Sequence, residues 1–290
     1  MPELPEVETV RRVLKTWLIG KRIIKCFPIY PNIIASMTPE EFALRIEGQE
    51  IKDIGRKGKY LLIYLENDVI ISHLRMEGKY HLGYFGLRKE NDEANHYFAP
   101  NVIDKKNKHV HLVFLLDDNR VLMYDDVRKF GRMNLVKKEE LFLVPPLNKL
   151  GIEANSDDYS ASYLFERLQK LKVTIKQALL NQELISGLGN IYVDEVLFLS
   201  KIKPTKEANK ISLKKCQVIL DNAKIVLNKA IELGGSTIRS YHFANGVDGK
   251  FQNELYVYGR ANQECKFCGS KINKIKVGGR GTHYCPSCQK

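Results

Sequence analysis

The stretch CKFCGSKINKIKVGGRGTHYCPSC, residues 265–288, carries four cysteines in the spacing C-x2-C-x16-C-x2-C. Thiolates so placed can close a tetrahedral zinc site, with Cys265 and Cys268 from one end and Cys285 and Cys288 from the other. Between them, Lys271–Val277 alternates as a strand does, and Gly278-Gly-Arg-Gly281 has the composition of a tight turn. The segment reads as a β-hairpin clamped at its base by one structural Zn2+, with Arg280 displayed at its tip. Two disulfides are the alternative use of four cysteines, and they belong to oxidising compartments. A rigid basic finger suits a nucleic-acid groove better than a small-molecule pocket.

Charge extends that reading upstream. Residues 201–290 hold 17 Lys plus Arg against 6 Asp plus Glu, a net +11 out of the chain's +12. Such asymmetry is the electrostatic footprint of a phosphate-binding module, because neutralised phosphates release their counterions. No apolar run approaches the roughly 20 residues that cross a bilayer. The start, MPELPE, lacks a basic region followed by an apolar stretch, so no secretory signal is expected. Cys26 and Cys216 have no partner pattern and are expected as buried thiols, in keeping with a reduced, cytoplasmic setting.

Patterning divides the chain. Residues 5–18 read as a helix, with Pro5 in its first turn and Val7, Val10, Leu14 and Trp17 on one face. From about 20 to 142 short strands dominate, as in Tyr60–Leu65, Val69–Leu74, His109–Leu116 and Arg120–Tyr124. Helical segments follow near 160–171, 174–182, 190–199 and 212–233. The expected fold is therefore α+β in two domains. An N-terminal β-sandwich with a flanking helix spans 1–145, and Pro- and Gly-bearing residues 146–159 form a linker. A helical domain ending in the zinc hairpin (about 260–290) spans 160–290. The polar stretch 86–108 reads as an insertion loop without chemistry of its own.

The N-terminus offers a nucleophile. Met1 precedes the small Pro2, so removal of Met1 is expected, exposing a secondary α-amine. An α-amine titrates near 8, against about 10.4 for lysine, so roughly 10% of it is free base at pH 7. Its condensation with a sugar C1′ gives an iminium, an electron sink suited to elimination. Glu3 is the neighbouring acid/base candidate. Without further context, Pro2 is simply a residue that tolerates processing, and Glu3 and Glu6 sit favourably at a helix N-terminus.

Six stretches supply that context: MPELPEVETVRR at 1–12, GRKGKYLL at 55–62, SHLRMEGKY at 72–80, DDVRKFGR at 125–132, GLGNIYVDEVLF at 187–198 and GGRGTHYCPSCQ at 278–289. Together, in this order, they resemble the bacterial formamidopyrimidine-DNA glycosylase family. The sister endonuclease VIII family is similar, but usually has Gly where this chain has Leu4. The resemblance implies a bifunctional DNA glycosylase/AP lyase, with Pro2 as nucleophile, Glu3 as acid/base and Glu6 near the centre. It places Lys57 by the lesion and its phosphate, and Arg280 on the flanking phosphates. His73 and Asn190 match DNA-backbone contacts. Asn190 also opens a helix after Gly187-Leu-Gly, so it reads as an N-cap beside backbone N–H groups left free for a phosphate. Met76, Arg128 and Phe130 match the residues that enter the duplex when a base is extruded. Glu77 is placed near that base, and residues 236–249 match a mobile lesion-recognition loop. A helix-two-turn-helix domain, double-stranded DNA as partner and a monomeric state are implied as well. An oxidised-pyrimidine glycosylase of the endonuclease VIII kind, and a non-catalytic zinc-ribbon DNA-binding protein, remain as alternatives.

Overall fold

The computed structural model describes every residue except 36, 88–91, 93, 94, 101, 103–106 and 237–248. The expected recognition loop at 236–249 thus lies almost wholly outside the described residues, as does part of the 86–108 stretch. The described chain divides into two compact units. One comprises residues 1–2 and 6–144; the other comprises 3–5, 145–236 and 249–290.

The first unit is a sandwich of two sheets with a helix against its core. Helix α1 (Leu4–Leu18) buries Val7, Val10 and Leu14 of the expected stripe, with Leu18 completing it and Trp17 only partly buried against the same core. Strands β1 (Ile23–Pro28), β7 (Val110–Leu116), β8 (Arg120–Asp125), β5 (Lys79–Phe85) and β6 (Tyr97–Phe98) form one sheet in that spatial order. The other runs β2 (Asp53–Lys57), β3 (Tyr60–Tyr64), β4 (Asp68–His73) and β9 (Arg132–Lys137), antiparallel throughout. Helix α2 (Pro39–Ile46), capped by Thr38, adds Phe42 and Ile46 to the same core. Glu8 on α1 accepts from Arg11 and Arg12 and, 3.1 Å away, from Nε of Arg56 on β2. Arg56 in turn donates to the Gly58 carbonyl at 2.9 Å, so one carboxylate ties α1 to the β2–β3 turn.

The second unit is helical, with α3 (Ala161–Gln169), α4 (Ile175–Leu180), α5 (Asn190–Leu199) and α6 (Leu213–Glu232), and ends in the hairpin β10 (Asn273–Val277) and β11 (Arg280–Tyr284). Residues expected to be linker take part in it. Leu147, Ala154 and Tyr159 are buried, the Ala154 amide donates to the Ser186 carbonyl, and the Tyr159 hydroxyl donates to the Leu184 carbonyl. Helix α5 is the axis of the unit, with Ile191–Phe198 buried all round, including two carboxylates. Asp194 pairs at 2.6 Å with Lys176 of α4, both side chains fully buried, and accepts the His283 amide of β11 at 2.8 Å. Glu195 accepts the amides of Tyr256, Val257 and Tyr258 at 2.8–2.9 Å, which fixes the chain entering the zinc hairpin.

Two stability outcomes follow. Replacing one member of a buried ion pair strands the other, at a cost of about 3–5 kcal/mol, whereas an apolar pair of similar volume is often tolerated. Lys176→Met should therefore lower the urea midpoint of the second unit sharply, and Lys176→Met/Asp194→Leu should recover much of the loss. Burial opposes the charge of Glu8, but hydrogen bonds and the charges of Arg11 and Arg56 outweigh it and hold its carboxyl below the ordinary value. Stability from a depressed carboxyl is present above its unfolded pKa of about 4.3 and lost as pH falls through the folded value. Glu8→Gln should thus be destabilising by about 2 kcal/mol at pH 7, with the gap to the parent closing below about pH 4.

Candidate active site and zinc centre

One end of the first unit's sandwich gathers the expected site residues of that half. The four-stranded sheet pairs Lys57 with Tyr60, Tyr60 with His73, and His73 with Arg132, a row across its edge. The His73 ring is 7% exposed, stands edge-on to Tyr60 and accepts the Arg75 amide on Nδ1 at 2.9 Å. Burial, and then the charges of Arg75 and Lys59, push its pKa down to about 3. The imidazole is therefore neutral with its proton on Nε2, able to donate a hydrogen bond to a phosphate but bringing no charge.

Of the two lysines in GRKGKY, Lys57 ends β2 half-exposed, while Lys59 is 4% exposed in the turn that follows. Sequence reading singled out Lys57, yet the electrostatics couple Lys59, not Lys57, to His73. A buried lysine beside a neutral histidine is the stronger site candidate. Their two-residue separation in one motif gave no means of choosing.

Met76, Arg128 and Phe130 come together despite the 86–108 stretch between them in sequence. With Met1, Arg75 and Arg132 they line a cavity of about 450 Å³. The Arg128 guanidinium lies over the Phe130 ring, 4.8 Å from its centroid, and Phe130 is 49% exposed. Glu77, half-buried, follows Met76 in the same loop. The fully buried Asp126 accepts the amides of Arg128 and Gly131, closing the loop that displays Arg128 and Phe130. A Cβ at Gly78 or at Gly131 would collide with the Tyr124 hydroxyl, so both loops approach that one side chain. Sequence reading did not single out Tyr124 or Asp126, because their contacts form only once the two loops fold against β8. Pro2 is buried, Glu6 is 3% exposed in the first turn of α1, and Met1 is 43% exposed.

In the second unit the expected role of Asn190 needs correction. The N-cap of α5 is Gly189, with no side-chain cap of its own, and Asn190 is the first helical residue. The cap comes from Glu3, 2% exposed, whose Oε1 accepts the Ile191 amide at 2.9 Å and whose Oε2 accepts the Tyr192 amide at 3.4 Å. These amides are therefore not free for a phosphate. A Cβ at residue 189 would collide with the Glu3 carboxyl, so glycine makes this cap possible. The other four helices with a defined N-cap use Thr38, Ser160, Thr174 and Ser212. Asn190 instead donates through Nδ2 to the Gly281 carbonyl at 3.0 Å. Lys176 reaches the same carbonyl at 3.3 Å, and Gly278 packs on Gln177. The exposed Arg280 beside this turn is thus presented from a fixed base. Gly278 and Gly279, with φ of 53° and 79°, make the two-residue turn that the right-handed twist of a hairpin favours.

The four cysteine sulfurs lie within 4.8 Å of one another, with Cys265–Cys288 at 3.9 Å and Cys268–Cys285 at 3.5 Å. Tetrahedral zinc with 2.3 Å bonds to sulfur implies separations of about 3.8 Å. The residues present fit one zinc ion, and four cysteines leave no open coordination position, so the metal is structural. Cys265 and Cys285 also join Phe198, Val257 and Ile272 in an apolar cluster under the site. Cys26 and Cys216 are buried free thiols, as expected. Stripping zinc with a strong chelator should therefore abolish amide-exchange protection in β10 and β11 while leaving that of residues 6–144 in place, as read by mass spectrometry.

Three family models match the chain in order. They are the formamidopyrimidine-DNA glycosylase N-terminal domain over residues 1–133, the formamidopyrimidine-DNA glycosylase H2TH domain over 150–242, and the zinc finger found in FPG and IleRS over 262–290. The formamidopyrimidine-DNA glycosylase of Bacillus licheniformis is 48% identical over 293 residues, covering 100% of both chains. That of Streptococcus mutans is 47% identical over 290 residues, again covering 100% of each. The crystal structure of Lactococcus lactis Fpg with an abasic-site-containing DNA matches with a TM-score of 0.86 at 41% identity over 100% of both chains. The complex of wild-type Lactococcus lactis Fpg with an N7-benzyl-Fapy-dG-containing DNA gives 0.87 at 42% identity, with the same coverage. The zinc-clamped hairpin, the helix axis it rests on and the strand-rich unit with its N-terminal PELPE segment all fall within these matches: the chain belongs to the formamidopyrimidine-DNA glycosylase family.

Proposed function

We propose that the chain is a bifunctional DNA glycosylase/AP lyase of base excision repair, removing oxidised purines, 8-oxoguanine and formamidopyrimidines, from duplex DNA. The observation that carries this is the placement of Glu3. Glu3 follows the candidate nucleophile Pro2 directly in the chain, and its side-chain carboxylate is held by the N-terminus of a buried helix. Relatives of full-length similarity were solved with abasic-site and Fapy-dG DNA, which supports the same substrate class here.

The chemistry follows from the groups. Removal of Met1, exposed at the surface, frees the Pro2 nitrogen. That nitrogen attacks C1′ of the damaged nucleotide; the sugar–base bond breaks and an iminium forms on the opened sugar. The Glu3 carboxylate takes the proton that the Pro2 nitrogen loses and delivers it to the sugar ring oxygen as the ring opens, while the base departs with a proton from solvent. Proton loss from C2′ and then C4′ expels the 3′ and 5′ phosphates in β- and δ-elimination, leaving a one-nucleotide gap with phosphorylated ends. Lys59, in preference to Lys57, serves the lesion and its phosphate, with Glu6 near the centre. His73, Asn190 and Arg280 take the flanking backbone. Met76 and Phe130 fill the space of the extruded base, and Arg128 offers donors to its orphaned partner. Residues 1–145 are the catalytic domain and 160–290 the DNA-binding domain; the enzyme works as a monomer in the cytoplasm, where bacterial DNA lies.

Borohydride trapping on a duplex with 8-oxoguanine opposite cytosine should give a covalent adduct that maps to Pro2, in protein whose intact mass lacks Met1. Glu3→Gln should reduce trapping at least a hundredfold, the usual scale for a lost acid/base. Lys59→Ala should cost far more activity than Lys57→Ala; the reverse order would restore Lys57 to the site. Trapping only on thymine glycol duplexes would move the chain to the oxidised-pyrimidine reading, and retention of Met1 without any adduct would leave DNA binding alone.

A further inference from the structure

Residues 201–215 contain six lysines and one carboxylate, Glu207, and no arginine. Folding adds lysines from distant sequence to this segment. The Ala208 amide donates to the Val173 carbonyl and the Ile175 amide to the Lys206 carbonyl, bringing the 170–172 loop alongside. The Lys203 amide donates to the carbonyl of Lys290, and Gln289 donates to Ile202, bringing in the chain end beyond the zinc site. Lys170, Lys172, Lys203, Lys206, Lys210 and Lys290 are all exposed, and none forms an ion pair among the described residues. The platform beneath is rigid, since Ile202, Ala208 and Ile211 are at most 2% exposed.

Like charges are ordinarily interspersed with carboxylates, because a concentrated field of one sign repels itself. This face keeps its repulsion. Its lysines are point charges without the planar fork that reads a base edge or a single carboxylate. The exposed apolar side chains beside them, Val173 and Leu213, are aliphatic and offer no stacking surface for unpaired bases. What remains is affinity for a phosphate backbone irrespective of sequence. The face begins past the C-terminal end of α5, whose ten residues span about 15 Å, so Lys203, and Lys290 hydrogen-bonded to it, lie beyond the opposite end of that helix from Asn190.

We infer that this lysine face is a second duplex-binding surface, which holds the phosphate backbone of undamaged DNA outside the lesion site. The inference rests on the DNA-repair reading for its choice of polyanion. It would let the protein keep hold of one duplex segment while the lesion site engages or releases another.

The test uses full-length zinc-loaded protein saturated with a 13-base-pair duplex carrying a tetrahydrofuran site. A labelled 40-base-pair undamaged duplex is then titrated in. Binding of this second duplex is expected, with a salt slope that falls by about 2–3 in Lys203→Gln/Lys206→Gln/Lys210→Gln, each lost phosphate contact contributing about 0.9. Between 50 and 200 mM salt, the parent should lose about 40-fold more affinity for it than the variant. Cleavage of a separate 13-base-pair duplex carrying 8-oxoguanine opposite cytosine should be the same in both. Saturated parent that binds no second duplex, or a variant that binds it as the parent does, overturns the inference. Loss of short-duplex cleavage in the variant also overturns it, because the face would then belong to the lesion site. Failure of the parent to bind the tetrahydrofuran duplex at all counts against the repair reading instead. Direct titration of undamaged duplex into parent and variant then still decides the lysine face.

Discussion

The carboxylate of Glu3 on the amides of Ile191 and Tyr192 is the interaction on which the rest depends. A helix start buried without a cap leaves N–H groups unsatisfied, at roughly 1–3 kcal/mol each. Here the missing cap is supplied from the N-terminus of the chain, so completing the helix and fixing Glu3 are one event. The same contact explains the glycine at 189, the absence of a Ser or Thr there, and the diversion of Asn190 to the Gly281 carbonyl. The Glu3 carboxylate is thus held by backbone dipoles, which do not change protonation state and do not rotate away.

Helix α5 repeats the device twice. Asp194 and Glu195 are adjacent, point to different neighbours and spend their oxygens on Lys176, the His283 amide and three amides of the segment 256–258. Burying charge is unfavourable unless every lone pair finds a donor, and these two find theirs on the parts that hold the hairpin. Zinc and the apolar cluster close the hairpin's own base, while the α5 carboxylates fix its neck and its inner strand, β11.

Features built from near neighbours were legible in the sequence. The cysteine pairs and the Gly-Gly turn declared the hairpin, and alternation or helical stripes declared most elements, because metal ligation and periodicity are short-range. Features completed across the chain were not. Asn190 reads as a cap because Asn before an apolar run usually is one; nothing local reveals an acceptor 188 residues earlier. The burial of Lys176 depends on Asp194, eighteen residues on, which no local pattern announces. Lys57 ends a strand and Lys59 lies in the turn after it, a distinction that two positions of one motif do not reveal. The convergence of Met76 with Phe130 depends on β4 and β8 ending at the same edge of the sandwich, which sheet topology decides and spacing does not.

The finger type matched at 262–290 is one found in more than one kind of protein, which invites the picture of an exchangeable module. The neck at Tyr256–Tyr258 argues otherwise for this chain. Its three amides face a carboxylate on a helix more than sixty residues upstream, and without that partner they would be buried donors with nothing to donate to. Transplanted alone, the finger would carry its metal but not its bearing. Recombination could move it intact only together with α5, so the smallest heritable unit here is helix plus finger, joined by two acidic side chains of the helix.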